Sequence, residues 1–431
     1  MELLVRNSPS LEGDITPPGS KSHSIRALMV ALMAKGASTL SNLLDSDDIQ
    51  AATSVCQALG IQTQQKNNQL TIQGQGLPLK SNATELFTRN SGITTRFILP
   101  MLGLRSDTTQ PIRLDCGEQM RARPIESLVA SLRELGMTIS YEGKNAALPL
   151  KIAGPLKGGK SSVDGTTSQY ISALLLSLPC APQDSEITVS NLHERPYMEM
   201  TLHWLREQGV QFTHHHHAGV DRFEIPGRQH YTAFQLAIPG DFSSASYPIA
   251  AAAILNGNVT VRGLNLSDPQ GDKRLIAILK EMGANVVASN DGIQIHGGAA
   301  LRGIEIDAND VPDLLPTLAV VGTRASGKTV IRNVRQARIK ETDRIRSMCE
   351  GLQKMGARIE AHEDGLTVHQ STLHGASVNG YGDHRTVMAL AIAGLTAVGE
   401  TCISDAEAVS KTYPNFVTEM QRLGAAFKVQ S

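Results

Sequence analysis

Apolar residues at helical spacing end in the same way six times along this chain. The segments CQALGIQT, LRELGMTI, LREQGVQF, LKEMGANV, LQKMGARI and MQRLGAAF each close an amphipathic run on a glycine and then alternate apolar and polar positions. That order predicts a helix, a glycine just past its end, and a strand. The glycines are Gly60, Gly136, Gly209, Gly283, Gly356 and Gly424, at intervals of 76, 73, 74, 73 and 68 residues. Spacing this even predicts an internal repeat. Each unit also holds a more uniformly apolar segment: SIRALMVALMA, TTRFILPMLGL, SQYISALLLSL, SSASYPIAAAAI, LLPTLAVVGT and HRTVMALAIAGL. Helices apolar nearly all round are buried ones. A turn and a β-rich run follow most of them, as in GNVTVRGL and GETCISDA. Six α/β units of about 73 residues predict two domains of three units, roughly 220 residues each.

The buried helices begin at polar stretches, GSKSHS, RNSG, TTSQ, GDFSS, DVPD and YGDHR. Capping accounts for any one of them alone. Across the units, however, cations recur at predicted helix starts: Lys21, Arg26, Arg96, Arg123, Arg195, Lys340, Arg344, Arg385 and Lys411. Arg123-Pro124, Arg195-Pro196 and the KTYP run of Lys411 place proline where the first helical turn tolerates it. The stretch ARIKETDRIRSM crowds Lys340, Glu341, Asp343, Arg344 and Arg346 together, and Ile345, Met348, Leu352 and Met355 predict a helix from about Thr342. A helix N-terminus is already positive, so cations gathered there cost stability unless an anion lies among them. Helix starts of this kind facing one cleft would hold a small, multiply charged anion.

Bulk properties narrow the choice. A net charge of −1 gives no support for nucleic-acid or acidic-membrane binding. No 18-residue apolar run predicts a membrane span, and MELLVRNSPSLEGD lacks the layout of a secretory signal. Five cysteines without CxxC spacing (Cys56, Cys116, Cys180, Cys349, Cys402) fit reduced thiols in a cytoplasmic protein, with no zinc site and no disulfide framework. The run His214–His217 follows an apparent strand VQF and reads as a solvated hairpin rather than a metal site. GTRASGKT (Gly322–Thr329) matches a phosphate-loop pattern, but an apolar helix precedes it and a β-branched run follows, the reverse of what that motif needs.

At these residues the chain resembles the enolpyruvyl transferase family nearly end to end, most closely its shikimate branch. The likeness is carried, in the family's order, by PPGSKSHSIRAL, LDSDD, RNSGITTRF, GEQMRARPI, TTSQYISALL, GDFSSASY, DVPD, KETDR, GDHR and KTYP. It implies an α/β fold of two domains, each of three βαβαββ-type repeats, joined by a double crossover near Gly19 and Pro239. Residues 20–239 would form the first domain, 1–19 with 240–431 the second, and the active site would lie in the cleft between them. The implied activity transfers the enolpyruvyl group of phosphoenolpyruvate to the 5-hydroxyl of shikimate 3-phosphate and releases phosphate, within aromatic amino acid biosynthesis. The family implies a monomer that needs no metal or organic cofactor. Its partners would be these two anions, with neither nucleic acid nor membrane.

Residue roles follow from the same resemblance, position by position. Lys21, Ser22, Arg26, Asp313, Gln336 and Lys340 match acceptor contacts, and Thr167, Ser168 and Gln169 match the Ser-Ser-Gln whose hydroxyls hold the 3-phosphate. Lys21, Gly92, Arg123, Gln169, Arg344, Arg385 and Lys411 match contacts to phosphoenolpyruvate. Asp313 is the candidate base for the hydroxyl, Glu341 the candidate acid at C3, and Lys21 a proton relay.

Several positions depart from the pattern. Glu194 stands where the family usually has a phosphate-binding serine, Gln336 where asparagine is common, and Ile25 replaces another asparagine. All three touch the acceptor side, which leaves a divergent acceptor open. Ile93 and Phe97 replace the usual threonine and proline and add bulk beside the donor pocket, predicting weak inhibition by glyphosate. The UDP-N-acetylglucosamine branch is a rival. Its loop cysteine would fall at Glu118, while Cys116 lies two residues off register. A non-catalytic anion-binding protein is a second rival, against which stands the carboxylate pair Asp313 and Glu341.

Overall fold

All six repeat glycines adopt the left-handed conformation, at φ between 69° and 103°. Each stands two residues past the end of an amphipathic helix, which is the geometry that lets a chain leave a helix and enter a strand. The repeat is therefore real, and it is built on this turn. The structure is a computed structural model and describes residues 1–289 and 291–430.

Lys21–Ile238 form one compact unit, and Met1–Ser20 with Pro239–Ser431 form the other. The first contains α1 (Lys21–Met33), α2 (Asp47–Ala58), α3 (Gly92–Met101), α4 (Glu118–Arg121), α5 (Glu126–Glu134), α6 (Ser168–Ser177) and α7 (Arg195–Glu207). The second contains α8 (Phe242–Ile254), α9 (Arg274–Glu281), α10 (Leu315–Arg324), α11 (Arg344–Lys354), α12 (His384–Gly394) and α13 (Phe416–Arg422). The uniformly apolar segments are the central helices: α1, α3 and α6 in one unit, α8, α10 and α12 in the other, all almost wholly buried. The amphipathic helices lie outside them, and each unit has its own hydrophobic core.

Among the described residues, each unit carries three four-stranded sheets, and all six share one plan. In one of them Gln235–Ala237 runs parallel to Lys35–Ser41, which is antiparallel to Gln69–Gln75, itself antiparallel to Gln62–Lys66. Two sheets of the second unit are completed from the N-terminus. Glu2–Arg6 lies between Glu400–Ile403 and Phe427–Gln430, with Leu4 opposite both Cys402 and Lys428. Ser10–Ile15 pairs in parallel with Asn256–Val261. The chain passes between units at Ser20 and again at Ile238. Ser20 and Pro239 both belong to the second unit, joined by a 2.8 Å bond from Ser20 N to the Pro239 carbonyl.

Some local expectations shift. The helix expected from Thr342 starts at Arg344, because the Asp343 carboxylate caps it by accepting from Arg346 N at 3.0 Å. The histidine run is itself a strand, Thr213–His217, whereas VQF precedes it. This strand forms a hairpin with Val220–Ile225, in which His215, His216 and His217 are exposed as expected, while His214 stacks on Phe223 with ring centroids 4.4 Å apart. Gly322–Thr329 spans the end of α10 and the start of the strand Lys328–Arg332, so no phosphate loop forms. No helix among the described residues is long and apolar enough to cross a membrane.

A side chain at Gly209 would meet nothing within 4 Å, yet the residue has φ +69°. Gly209→Ala is therefore expected to lose about 1–2 kcal/mol from backbone strain alone, read as a lower denaturant midpoint for the Lys21–Ile238 unit. A loss below a few tenths would show that the turn relaxes.

Candidate active site

The charged stretch KETDR feeds a buried ion cluster in the second unit. Arg344 is the first residue of α11 and only 1% exposed, so its guanidinium must be fully paired. It donates from Nη1 to Asp313 Oδ1 at 2.6 Å, from Nη2 to Glu341 Oε2 at 2.7 Å, and from Nε to Asp383 Oδ2 at 2.7 Å. Asp313 sits in the one-turn 3-10 helix that leads into α10, and its other oxygen accepts from Arg385 Nη2 at 2.9 Å. Asp383 is the N-cap of α12 and accepts from Arg385 N at 2.9 Å. Lys411 donates to the Gly382 carbonyl at 3.1 Å, next to that cap. Asp313, Glu341, Arg344, Arg385 and Lys411 thus come together, and Lys340 lies near enough to act on the Asp313 charge.

Protonation states follow from these contacts. Burial pushes Asp313 upward, but Arg385, Arg344 and Lys340 outweigh it and hold the carboxyl far below the usual range. Burial opposes the charge on Arg344, and Asp383, Glu341 and Asp313 reverse that and raise it. Asp272 behaves in the opposite way. Burial and the neighbouring Asp313 charge push it up to about 7 against the pull of Arg385. Its Oδ2 accepts from Ser243 Oγ at 2.5 Å, and its Oδ1 is buried without a partner among the described residues.

The first unit holds the other sequence-derived residues at the starts of α1, α3 and α6. Lys21 opens α1, with its Nζ 3.3 Å from Asp48 Oδ2. Gly92 opens α3 behind the cap Ser91, and a Cβ placed on it would lie 2.6 Å from Arg123 Nη1 and 3.1 Å from Arg96 Nη1. Arg96 in turn donates to Gln169 Oε1 at 2.7 Å and to the Pro124 carbonyl at 2.8 Å. Gly92, Arg96, Arg123 and Gln169 are therefore neighbours. Thr167 caps α6 and Ser168 begins it.

Arg26 is fully buried and bonds only neutral groups: Thr201 Oγ1, Ser172 Oγ and the carbonyls of Ser22 and Tyr197. Burial lowers its pKa to about 9. Ser22 contributes its carbonyl to that network. Gln336 is buried, with Nε2 turned to the Asn309 carbonyl at 2.9 Å and Oε1 left without a partner among the described residues. Cys116 is buried, and burial and Asp115 raise its thiol to about 12, so it is no nucleophile. Among the described residues no group of three or more His, Cys, Asp or Glu side chains could hold a metal ion.

Comparison with known proteins decides the family. The model of EPSP synthase (3-phosphoshikimate 1-carboxyvinyltransferase) matches residues 5–420. This chain belongs to the EPSP synthase family. A 3-phosphoshikimate 1-carboxyvinyltransferase of Acetivibrio thermocellus is 43% identical over 99% of both chains, and one of Ruminiclostridium cellulolyticum is 41% identical over 100% of both. An EPSP synthase structure from Acinetobacter baumannii superposes with a TM-score of 0.83 over 100% of both chains at 26% identity. The six-sheet α/β architecture is that of the EPSP synthase fold.

Sequence reasoning passed over two groups. Asp383 is the buried counter-ion of Arg344, and Asp272 is a carboxyl that burial and the Asp313 charge push up. Arg96, named only as one of the cations at helix starts, orients Gln169. Asp383 lies inside GDHR, where only Arg385 was assigned. Asp272, in QGDKR, carries no signal beyond an acidic residue before a helix.

A carboxyl whose native pKa is raised loses stability as pH climbs from its unfolded value, about 4, through its native one. Asp272→Asn removes that loss. The melting temperature of the variant minus that of the parent is therefore expected to grow from pH 5 to pH 8. A constant difference would mean that Asp272 titrates normally.

Proposed function

We propose that this chain transfers the enolpyruvyl group of phosphoenolpyruvate to the 5-hydroxyl of shikimate 3-phosphate, releasing phosphate. Family membership across nearly the whole chain supports the reading, and one observation carries the chemistry. Asp313 and Glu341 share Arg344 at 2.6 and 2.7 Å, which places a potential base and a potential acid on one rigid cation. Both carboxylates meet the pairing that buried Arg344 requires, and in the proposed reaction they do acid–base work as well.

In the proposed sequence the 5-hydroxyl attacks C2 of phosphoenolpyruvate and C3 takes a proton to give a tetrahedral adduct; phosphate then leaves as C3 gives a proton back to the protein, which restores the double bond. Asp313 accepts the hydroxyl proton and Glu341 supplies the one at C3, with Lys21 as relay. Held far below the usual range, Asp313 is a weak base in the free protein. An incoming carboxylate or phosphate would draw Arg385 toward itself and loosen its hold on Asp313, raising the basicity when the donor is bound. Arg123, Arg385 and Lys411, with the Gly92 amide, bind the donor, because a planar guanidinium fork matches such oxyanions. Arg344, enclosed by three carboxylates, serves this donor site mainly by ordering them. Lys21, Ser22, Thr167, Ser168, Gln169, Gln336 and Lys340 receive the acceptor. Arg26, a buried cation bonded only to neutral groups, attracts its negative charge.

The UDP-N-acetylglucosamine reading is disfavoured by Glu118 at the cysteine position and by the unreactive Cys116. We also assign the protein to the cytoplasm, as a monomer.

Phosphate release from phosphoenolpyruvate and shikimate 3-phosphate is the direct assay. Asp313→Asn and Lys340→Met are each expected to lower turnover by about 10²–10⁴; near-normal rates would remove this mechanism. Ile93 follows Gly92 on the first turn of α3, and Phe97 is buried with its ring 5.2 Å from the Arg26 guanidinium carbon. The extra bulk is expected to give weak glyphosate inhibition, measured against rising phosphoenolpyruvate. Tight competitive inhibition would show that these side chains leave the donor pocket unchanged.

A further inference from the structure

Glu194 precedes α7 in the left-handed region, at φ 57° and ψ 41°, a conformation that costs a residue with a β-carbon. Its side chain is 1% exposed. The carboxylate does not cap its own helix. Instead Oε2 accepts from Ser168 Oγ at 2.9 Å and from Ser168 N at 3.4 Å. Ser168 is the first residue of the ten-residue helix α6, where unsatisfied N–H groups and the helix dipole favour negative charge. The anion at the head of α6 is thus part of the chain itself.

The adjacent cation is committed elsewhere. Arg195 forms a two-pronged pair with the buried Asp221, Nη1 to Oδ1 at 2.9 Å and Nη2 to Oδ2 at 2.8 Å. His214 Nε2 and His216 Nδ1 approach the same carboxylate at 2.7 and 3.1 Å.

We propose that Glu194 is a built-in occupant of the seat for the acceptor's phosphate, so that a phosphorylated acceptor binds only by displacing its carboxylate. The inference rests on the reading above that Thr167, Ser168 and Gln169 receive that phosphate. Glu194 then sets specificity by weakening every acceptor that carries a phosphate monoester at this position. An acceptor with a neutral hydroxyl there neither displaces the carboxylate nor feels its charge.

Calorimetric titration with shikimate 3-phosphate and with shikimate separates these effects. Glu194→Ser is expected to lower the Kd for shikimate 3-phosphate at least tenfold, and Glu194→Gln at least threefold. The Kd for shikimate should move less than twofold in both. Glu194→Gln keeps the size of the side chain and an oxygen for Ser168, so it guards against a serine variant that folds poorly. Unchanged or weaker binding of shikimate 3-phosphate in both variants would overturn the proposal, as would equal gains for the two ligands. Phosphate release by the parent protein, measured alongside, tells the failures apart. Turnover with an unchanged Kd ends the role of Glu194 alone. Absence of both turnover and binding in all three proteins ends the acceptor assignment and this inference with it.

Discussion

A guanidinium removed from water has to be met by a hydrogen-bond acceptor on every side it offers. Arg344 is in that position, and three carboxylates answer it from three parts of the chain. Asp313 comes from the lead-in to α10, Glu341 from the lead-in to α11, and Asp383 from the cap of α12. Removing one partner of such a group costs about 3–5 kcal/mol, because the remaining charge stays buried. The starts of three helices are thus tied to one cation. The same tie fixes the residues to which we assign acid–base chemistry.

Arg26 shows the complementary case. It is equally buried, but its partners are hydroxyls and carbonyls. Where Arg344 is neutralised by the protein, Arg26 retains an unmatched field that burial makes strong. The two buried arginines thus differ in what surrounds them: hydroxyls and carbonyls for Arg26, carboxylates for Arg344.

Much of this was legible beforehand. The repeat could be read because a left-handed turn at Gly60 or Gly424 requires the same residue each time, and a buried helix such as α8 requires apolar residues on all faces. The charged run around Lys340 also declared itself, since cations at a helix start have an electrostatic cost that calls for a partner. What could not be read was which carboxylate would answer which cation. Asp383 and Asp272 look alike in sequence, each an acidic residue beside a helix start. One is the counter-ion of Arg344, and the other is driven toward its neutral form by burial and the neighbouring Asp313 charge. That difference arises from distances between segments far apart in the chain. The histidine run could be read as a solvated hairpin, but not that Asp221 and Phe223, on the partner strand, would hold His214 within it.

The strand Glu2–Arg6 has a consequence for the order in which the molecule can be made. It is synthesised long before either of its neighbours, Glu400–Ile403 and Phe427–Gln430. Lys21–Ile238 has all its strands once residue 238 has emerged, so it can settle early. The N-terminal strand must wait unpaired through most of translation, exposing two open edges. Closing so long a loop is slow rather than prohibitive. Assembly of the second half is thus delayed until the chain can meet its own beginning.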